Sequence, residues 1–283
     1  MPISVQDALR ATQAQLTTLS AAPQREAEWL LEHLTGLSRS QQLINEDQLL
    51  NEHQVTQLQL LTQRRSAGEP LAYLLGEQHF WSLRLKVSPA VLIPRPETEL
   101  VVERALHHLP VHQIASALDL GTGSGAIVLA MACERPAAQL LATDCSVAAL
   151  ELARDNATLN QITNINFLHS DWFSNVPSQQ FALVVSNPPY IAINDPDVEP
   201  SVHQHEPHLA LYSGNDGLSA IRHIIEQAPR FLADRGWLVL EHGWQQADAV
   251  RELLESAGFS SVASHADLAD HARVSEGQWQ SHS

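Results

Sequence analysis

The stretch "ALDLGTGSGAIVLA", Ala117 to Ala130, runs an apolar segment into Gly121, Gly123 and Gly125 and out into a second apolar segment. A short apolar run bounded by glycine reads as a buried strand, and the longer run that follows reads as a helix. Glycines at that junction let the backbone turn tightly and let a ligand lie against it, beside the helix N-terminus. In open α/β sheets, ligands bind beyond the carboxyl ends of the strands. The stretch therefore predicts a nucleoside-type site built from Gly121, Thr122, Gly123, Ser124 and Gly125.

Working outward, strands and helices alternate to the end of the chain. "AQLLATD" reads as a strand, "SVAALELARDNATLN" as a helix, and "INFLHSD" and "FALVVS" as strands. "GLSAIRHIIEQAPRFL" is a helix, "GWLVLEHG" a strand and "QQADAVRELLESAG" a helix, with a last antiparallel pair of strands near 260–265 and 272–279. Such alternation predicts a mostly parallel sheet covered on both faces. Before it, residues 5–65 carry only helical periodicity, as in Ala27, Leu30, Leu31 and Leu34. "HFWSLRLKVSP" alternates like a hairpin, and "LIPRPETE" leads into a helix near Glu97. The expected division is a helical bundle over 1–75, a β-hairpin connector over 76–96 and an α/β domain over 97–283.

Bulk properties narrow the function. The formal charge is −16, Lys86 is the single lysine, and no Lys/Arg-rich run exists. An acidic chain repels phosphate backbones, which disfavours direct nucleic-acid binding and suits a small molecule or a basic protein. Cys133 and Cys145 lie in apolar segments without metal-type spacing and read as buried, reduced thiols. The N-terminus lacks a signal-peptide pattern and no run is long enough for a membrane span, so a cytoplasmic, membrane-free protein is expected.

The glycine pattern alone also satisfies a dinucleotide fingerprint through Gly121, Gly123 and Ala126. Asp119, two residues before the first glycine, separates the readings: a carboxylate there suits a cationic ligand and sits badly beside a pyrophosphate. Asp144 ends the second strand, where it can accept both ribose hydroxyls. Asp171 and Trp172 follow the third strand, where a carboxylate and an indole can hold an adenine. The ordered set resembles the class I S-adenosylmethionine-dependent methyltransferases from about Glu97 onward. That resemblance implies a Rossmann-like, seven-stranded domain.

The fourth strand, "FALVV", delivers "SNPPY", Ser186 to Tyr190, to the same edge. Pro188 and Pro189 remove two N–H donors and stiffen the backbone. Asn187 offers a side-chain acceptor, the Pro188 carbonyl a second one, and Tyr190 a flat wall. Two acceptors can bind both hydrogens of an NH2 group on a planar system and orient a nitrogen whose lone pair is delocalised. The element resembles the amino-methylating branch, which includes DNA adenine, rRNA guanine and protein glutamine methyltransferases.

"EPLAYLLGEQHFWSLRLKVSPAVLIPRPETELVVE", "SDWF", "SNPPYI", "EPHLAL", "GNDGL" and "LEHGWQQADAV" together resemble the HemK/PrmC type of release factor glutamine methyltransferase. The likeness covers nearly the whole chain. It implies transfer of a methyl group from S-adenosylmethionine to the side-chain amide nitrogen of glutamine in the Gly-Gly-Gln motif of class-1 peptide chain release factors. It further implies cofactor contacts at Asp119, residues 121–125, Asp144, Asp171, Trp172 and Asn187, and substrate contacts at Asn187, Pro188, Pro189 and Tyr190. Arg95 and Glu206 are expected at the substrate mouth, the helical domain is expected to grip the release factor, and the protein is expected to act as a monomer. His205 departs from the family, which carries an aromatic residue before the Glu-Pro. His203, His205 and His208 read as a solvated loop and not as a zinc site. The rival readings are a ribosomal-protein glutamine or nucleic-acid amino-methyltransferase, and a nicotinamide oxidoreductase.

Overall fold

Apolar spacing at three and four residues gives the N-terminal segment its helices, and short polar side chains set where they start. The computed structural model describes residues 3–111 and 115–281. The chain divides into two compact units, Met1–Gly76 with Glu199–His205, and Glu77–Val198 with Glu206–Ser283.

In the first unit, a two-residue strand β1 (Ile3–Ser4) precedes α1 (Val5–Leu16), α2 (Pro23–Thr35) and α3 (Arg39–Ile44). Strand β2 (Leu49–Leu50), α4 (Glu52–Ser66) and α5 (Leu71–Leu75) follow. Ser38 with Gln41, and Asn51 with Gln54, form reciprocal capping boxes at the starts of α3 and α4. Val5, Leu16, Leu30, Leu31, Leu58 and Leu61 close a shared core. Arg65 grips Glu26 with two hydrogen bonds, at 2.7 and 3.1 Å, and ties α4 to α2. The β1–β2 ladder, in which Ile3 pairs with Leu50, is too short to show any alternation in sequence.

The second unit opens with a hairpin, β3 (Glu77–Phe80) and β4 (Leu83–Lys86), whose Phe80, Leu83 and Leu85 enter the core beneath α6 (Glu99–His108). Then come β5 (Ser116–Leu120), α7 (Ala126–Glu134), β6 (Gln139–Asp144), α8 (Val147–Leu159), β7 (Ile165–His169) and β8 (Phe181–Ser186). A short helix α9 (Pro200–His205) belongs to the first unit. The chain finishes with α10 (Ser219–Gln227), β9 (Leu232–Glu241), α11 (Ala247–Ser256), β10 (Ser260–Ala266) and β11 (Ala272–Gln278).

The seven strands lie in the order β10-β11-β9-β8-β5-β6-β7. Only β11 runs against the others, because it pairs antiparallel with both β10 and β9. Successive side chains of a strand face opposite sides. Ala117 of β5 therefore joins the core under α6 and α7, while Leu118 and Leu120 join the core under α10 and α11. The order reverses at β5, with β6 on one side and β8 on the other. That reversal opens a crevice at the carboxyl ends of the strands.

The cysteines correct the expectation of buried thiols, since both are exposed. Helix α7 buries every residue from Ala126 to Ala132, and Cys133 follows in the last turn, on the outer side. Cys145 stands one residue past the end of β6, where the sheet opens to solvent. The histidine segment also differs from a solvated loop. His205 ends α9 half-buried, and its buried Nε2 has no hydrogen-bond partner among the described residues. Among the described residues, no helix is long and apolar enough to cross a membrane.

Candidate active site

Strand β5 ends at Leu120 and α7 begins at Ala126, so the glycine loop spans the crevice. Two anchors hold it. The Thr122 N–H donates to the Thr143 carbonyl at 2.9 Å, and the Gly123 N–H donates to Asp144 Oδ2 at 2.9 Å. Asp144 Oδ1 accepts from the Ser146 N–H at 2.8 Å, so one carboxylate braces the loop and the start of the next turn. Gly125 has φ +85°, and a Cβ there would stand 3.0 Å from Leu129 Cδ1 and 3.3 Å from Ala153 Cβ. Its lack of a side chain lets α7 pack closely against α8. Asn156, fully buried on α8, donates to the Ser124 carbonyl at 2.9 Å and to the Lys86 carbonyl at 3.0 Å. It accepts from the Lys86 N–H at 2.7 Å, so a single amide joins the hairpin, α8 and the glycine loop.

Asp119 shares a sheet face with Ala117 and is buried beneath the loop at 1% exposure. Thr122 Oγ1 donates to Asp119 Oδ2 at 2.6 Å, whereas the buried Oδ1 has no partner among the described residues. Burial pushes this carboxyl up to about 7; the Thr122 hydrogen bond opposes the rise and the Asp144 charge adds to it. A buried carboxylate with an orphaned oxygen favours a cation nearby.

Trp172 lies in a tight turn with φ +47°. Ser170 Oγ donates to its carbonyl at 2.8 Å, and the Asn175 N–H donates to Ser170 Oγ at 3.0 Å. The indole comes close to the glycine loop: Cζ3 lies 3.7 Å from where a Gly121 Cβ would be.

On the other side of the switch point, Ser186 Oγ donates to the Leu120 carbonyl at 2.7 Å and ties the end of β8 to the end of β5. Asn187 Nδ2 donates to Thr98 Oγ1 at 3.2 Å, and no described residue donates to its Oδ1, which stays as the amide's acceptor. No described residue donates to the Pro188 carbonyl. The Tyr190 hydroxyl donates to Glu241 Oε1 at 3.2 Å. Burial, with the Glu241 charge beside it, pushes the Tyr190 phenol above its ordinary range. Burial likewise pushes Glu241 up to about 7, against the pull of the Thr98 and Tyr190 hydroxyls and of Arg273. Gln246 Nε2 donates to the Tyr190 carbonyl at 3.0 Å and to the Asp216 carbonyl at 3.3 Å. The chain after "SNPPY" is thus pinned at both ends of Tyr190.

One cavity of about 510 Å³ takes in both halves. Gly121 to Ser124, Asp144, Asp171 and Trp172 line one part, and Thr98, Asn187 and Pro189 line another. Six residues expected at the site stand outside this lining. Asp119 lies below the loop, Gly125 packs helices, the Pro188 ring is buried, and Tyr190 reaches inward to Glu241. Arg95 and Glu206, expected at the substrate mouth, form an ion pair with each other. Glu206 is 4% exposed and also accepts from the Ile93 N–H at 3.1 Å, so the pair fastens the "IPRP" segment to the "EPHLAL" segment.

Sequence reasoning missed Thr98, Tyr212, Ser213 and His223 in the lining, and Glu241 and Gln246 behind it. Thr98 and Glu241 lie within quoted motifs, "PETE" and "LEHG". A buried threonine at a helix start and a carboxylate ending an apolar strand were the available signals.

The geometry has close relatives. A family model described as "Methyltransferase small domain" matches residues 100–204, and one described as "PrmC N-terminal domain" matches residues 7–76. The "Release factor glutamine methyltransferase" of Escherichia coli K12 is 48% identical over 92% of this chain and 94% of its own length. The protein of the same name from Vibrio cholerae is 45% identical over 99% of this chain and 98% of its own. Among solved structures, a methyltransferase from Pyrococcus furiosus superimposes with a TM-score of 0.53 at 18% identity, covering 71% of this chain and 91% of that one. That likeness is one of fold.

Proposed function

Since this chain belongs to the release factor glutamine methyltransferase family, we propose that it methylates the side-chain amide nitrogen of the glutamine in the Gly-Gly-Gln motif of class-1 release factors. It is an S-adenosylmethionine-dependent protein-(glutamine-N5) methyltransferase, and the cytoplasm, where translation ends, is its proposed place of action. The observation that carries the reading is the single cavity with a nucleoside-type loop on one part of its wall and Asn187 and Pro189 on another.

The residues fit the cofactor. S-adenosylmethionine, when bound, supplies a methyl group on a positively charged sulfur. Asp144 and Trp172 are the proposed partners of its ribose and adenine, and Gly121 to Ser124 of its amino-acid end. Asp119, with an orphaned buried oxygen, supplies negative charge beneath that end.

The chain's own work on the substrate is orientation. A glutamine amide nitrogen is a weak nucleophile because its lone pair is delocalised into the carbonyl. Asn187 Oδ1 and the Pro188 carbonyl take its two hydrogens, hold the nitrogen in line, and stabilise positive charge as it grows. The amide needs no general base before transfer, because its proton can leave afterwards. The helical unit is the proposed grip on the release factor, and the protein is proposed to work as a monomer without nucleic acid. Incubation with a class-1 release factor and S-adenosylmethionine tests the reading, followed by fragmentation mass spectrometry of the Gly-Gly-Gln peptide. One added methyl on the glutamine is expected; an unmodified glutamine overturns it.

A further inference from the structure

We propose that Glu241 is a positioning residue for this reaction: through the Thr98 hydroxyl it decides which end of the Asn187 carboxamide faces the substrate. A primary amide is nearly symmetric in shape, so its partners determine whether oxygen or nitrogen points outward. With Oδ1 outward, Asn187 accepts a hydrogen from the substrate amide. Turned by half a rotation, it would present two N–H donors to a group that is itself a donor.

Thr98 Oγ1 takes the Asn187 Nδ2 donor at 3.2 Å. A threonine hydroxyl has one hydrogen and two lone pairs. It works as a dedicated acceptor for Asn187 only when its own hydrogen is committed elsewhere. Thr98 is 3% exposed and Glu241, at the end of β9, is 2% exposed, and the Thr98 hydroxyl lies close enough to that carboxylate to help hold it ionised. Tyr190 occupies Glu241 Oε1, while the buried Oε2 has no hydrogen-bond partner among the described residues and is open to the Thr98 hydrogen. An ionised carboxylate is an acceptor only. It therefore draws the Thr98 hydrogen toward itself and turns the lone pairs toward Asn187. The same carboxylate holds the Tyr190 hydroxyl, so one buried charge orients both side chains that flank the two prolines.

The charge on Glu241 is poised to titrate near neutrality. Burial raises its pKa to about 7. Arg273 from β11 and the Tyr190 hydroxyl oppose that rise, and Glu97, just before Thr98, adds to it. Protonated Glu241 gains a donor and competes for the Thr98 lone pairs. Turnover should therefore fall as pH drops through about 7.

This inference rests on the glutamine reading, and steady-state kinetics with the full chain and a class-1 release factor separates the two. Thr98→Val should lower kcat by about 10- to 100-fold, with the Kd for S-adenosylmethionine within about twofold of wild type by calorimetry. Thr98→Ser, which keeps the hydroxyl, should recover most of that loss. Glu241→Gln should lower kcat and abolish its acidic limb. Wild-type enzyme that leaves the glutamine unmodified overturns the functional reading, and the inference with it. Wild type that methylates normally while Thr98→Val matches it in kcat overturns only the positioning role. So does an equal loss in Thr98→Ser and Thr98→Val, which would mark a packing effect.

Discussion

A Cβ placed on Gly217 would stand 2.2 Å from the carbonyl oxygen of Tyr190 and 2.7 Å from Gln246 Nε2. The "GNDGL" turn is therefore pressed directly against the backbone that presents Asn187 and Pro188. Gly217 also has φ +76°, a conformation that costs other residues about 1–2 kcal/mol. Gly217→Ala should displace Tyr190 and lower kcat by more than tenfold, in the range expected for misplaced reacting groups. The Kd for S-adenosylmethionine should stay near that of wild type, because the glycine loop is held by its own bonds to Thr143 and Asp144. Kinetics together with calorimetry checks this, and an unchanged kcat would show that the turn does not set the position of Tyr190.

Asp119 gives a pH signature in stability. Its folded carboxyl is pushed up to about 7, whereas an unfolded aspartate titrates near about 3.9. Between those values the folded state holds a proton that the unfolded state has released. This group's contribution to stability therefore falls as pH rises from about 4 to 7 and stays lost above that. Asp119→Asn should be more stable than wild type at pH about 8, and the difference should shrink toward pH about 5. Urea unfolding at both pH values measures it. The same variant should bind S-adenosylmethionine more weakly, since the negative charge beneath the loop is gone.

Asn156 is a structural rivet close to the site. Its side chain serves Ser124, the Lys86 N–H and the Lys86 carbonyl at once. Asn156→Leu should cost about 2–4 kcal/mol, because it strands buried backbone groups without partners. It should also loosen the glycine loop and raise the Kd for S-adenosylmethionine. Denaturant unfolding and calorimetry read the two effects separately, and loss of stability with unchanged affinity would show that the loop does not depend on Asn156.

Trp172 is expected to stack on the adenine, a contact worth about 1–3 kcal/mol. Trp172→Ala should raise the Kd for S-adenosylmethionine by about 5- to 150-fold. The kcat at saturating cofactor should change much less, because the indole touches no reacting atom. Equal affinity in the variant would remove Trp172 from the cofactor site.

What the sequence made legible was the part encoded locally. The alternation of strand and helix, the glycine turn and the proline-stiffened strand end each follow from neighbouring residues, and the sheet puts them at one edge. Partnerships across long stretches of chain were not legible. Thr98 is 89 residues from Asn187, and Tyr190 is 51 from Glu241. Nothing in either local pattern names the other. Arg95 and Glu206 illustrate the same limit. Each looked available for substrate, and the fold joins them to each other. The cysteines were misread because an apolar segment buries only the part of it that faces the core, and both lie just past that part.

The account depends most on Asn187 Oδ1 acting as an acceptor for the glutamine amide. Its most direct test is quantitative mass spectrometry of the Gly-Gly-Gln peptide after reaction with wild type and with Asn187→Ala, at cofactor concentrations that saturate both by calorimetry. Wild type should add one methyl group to the glutamine, and Asn187→Ala should do so about 100- to 1,000-fold more slowly, as for loss of one preorganised hydrogen-bonding group at a reacting centre. Methylation by Asn187→Ala at the wild-type rate would contradict it.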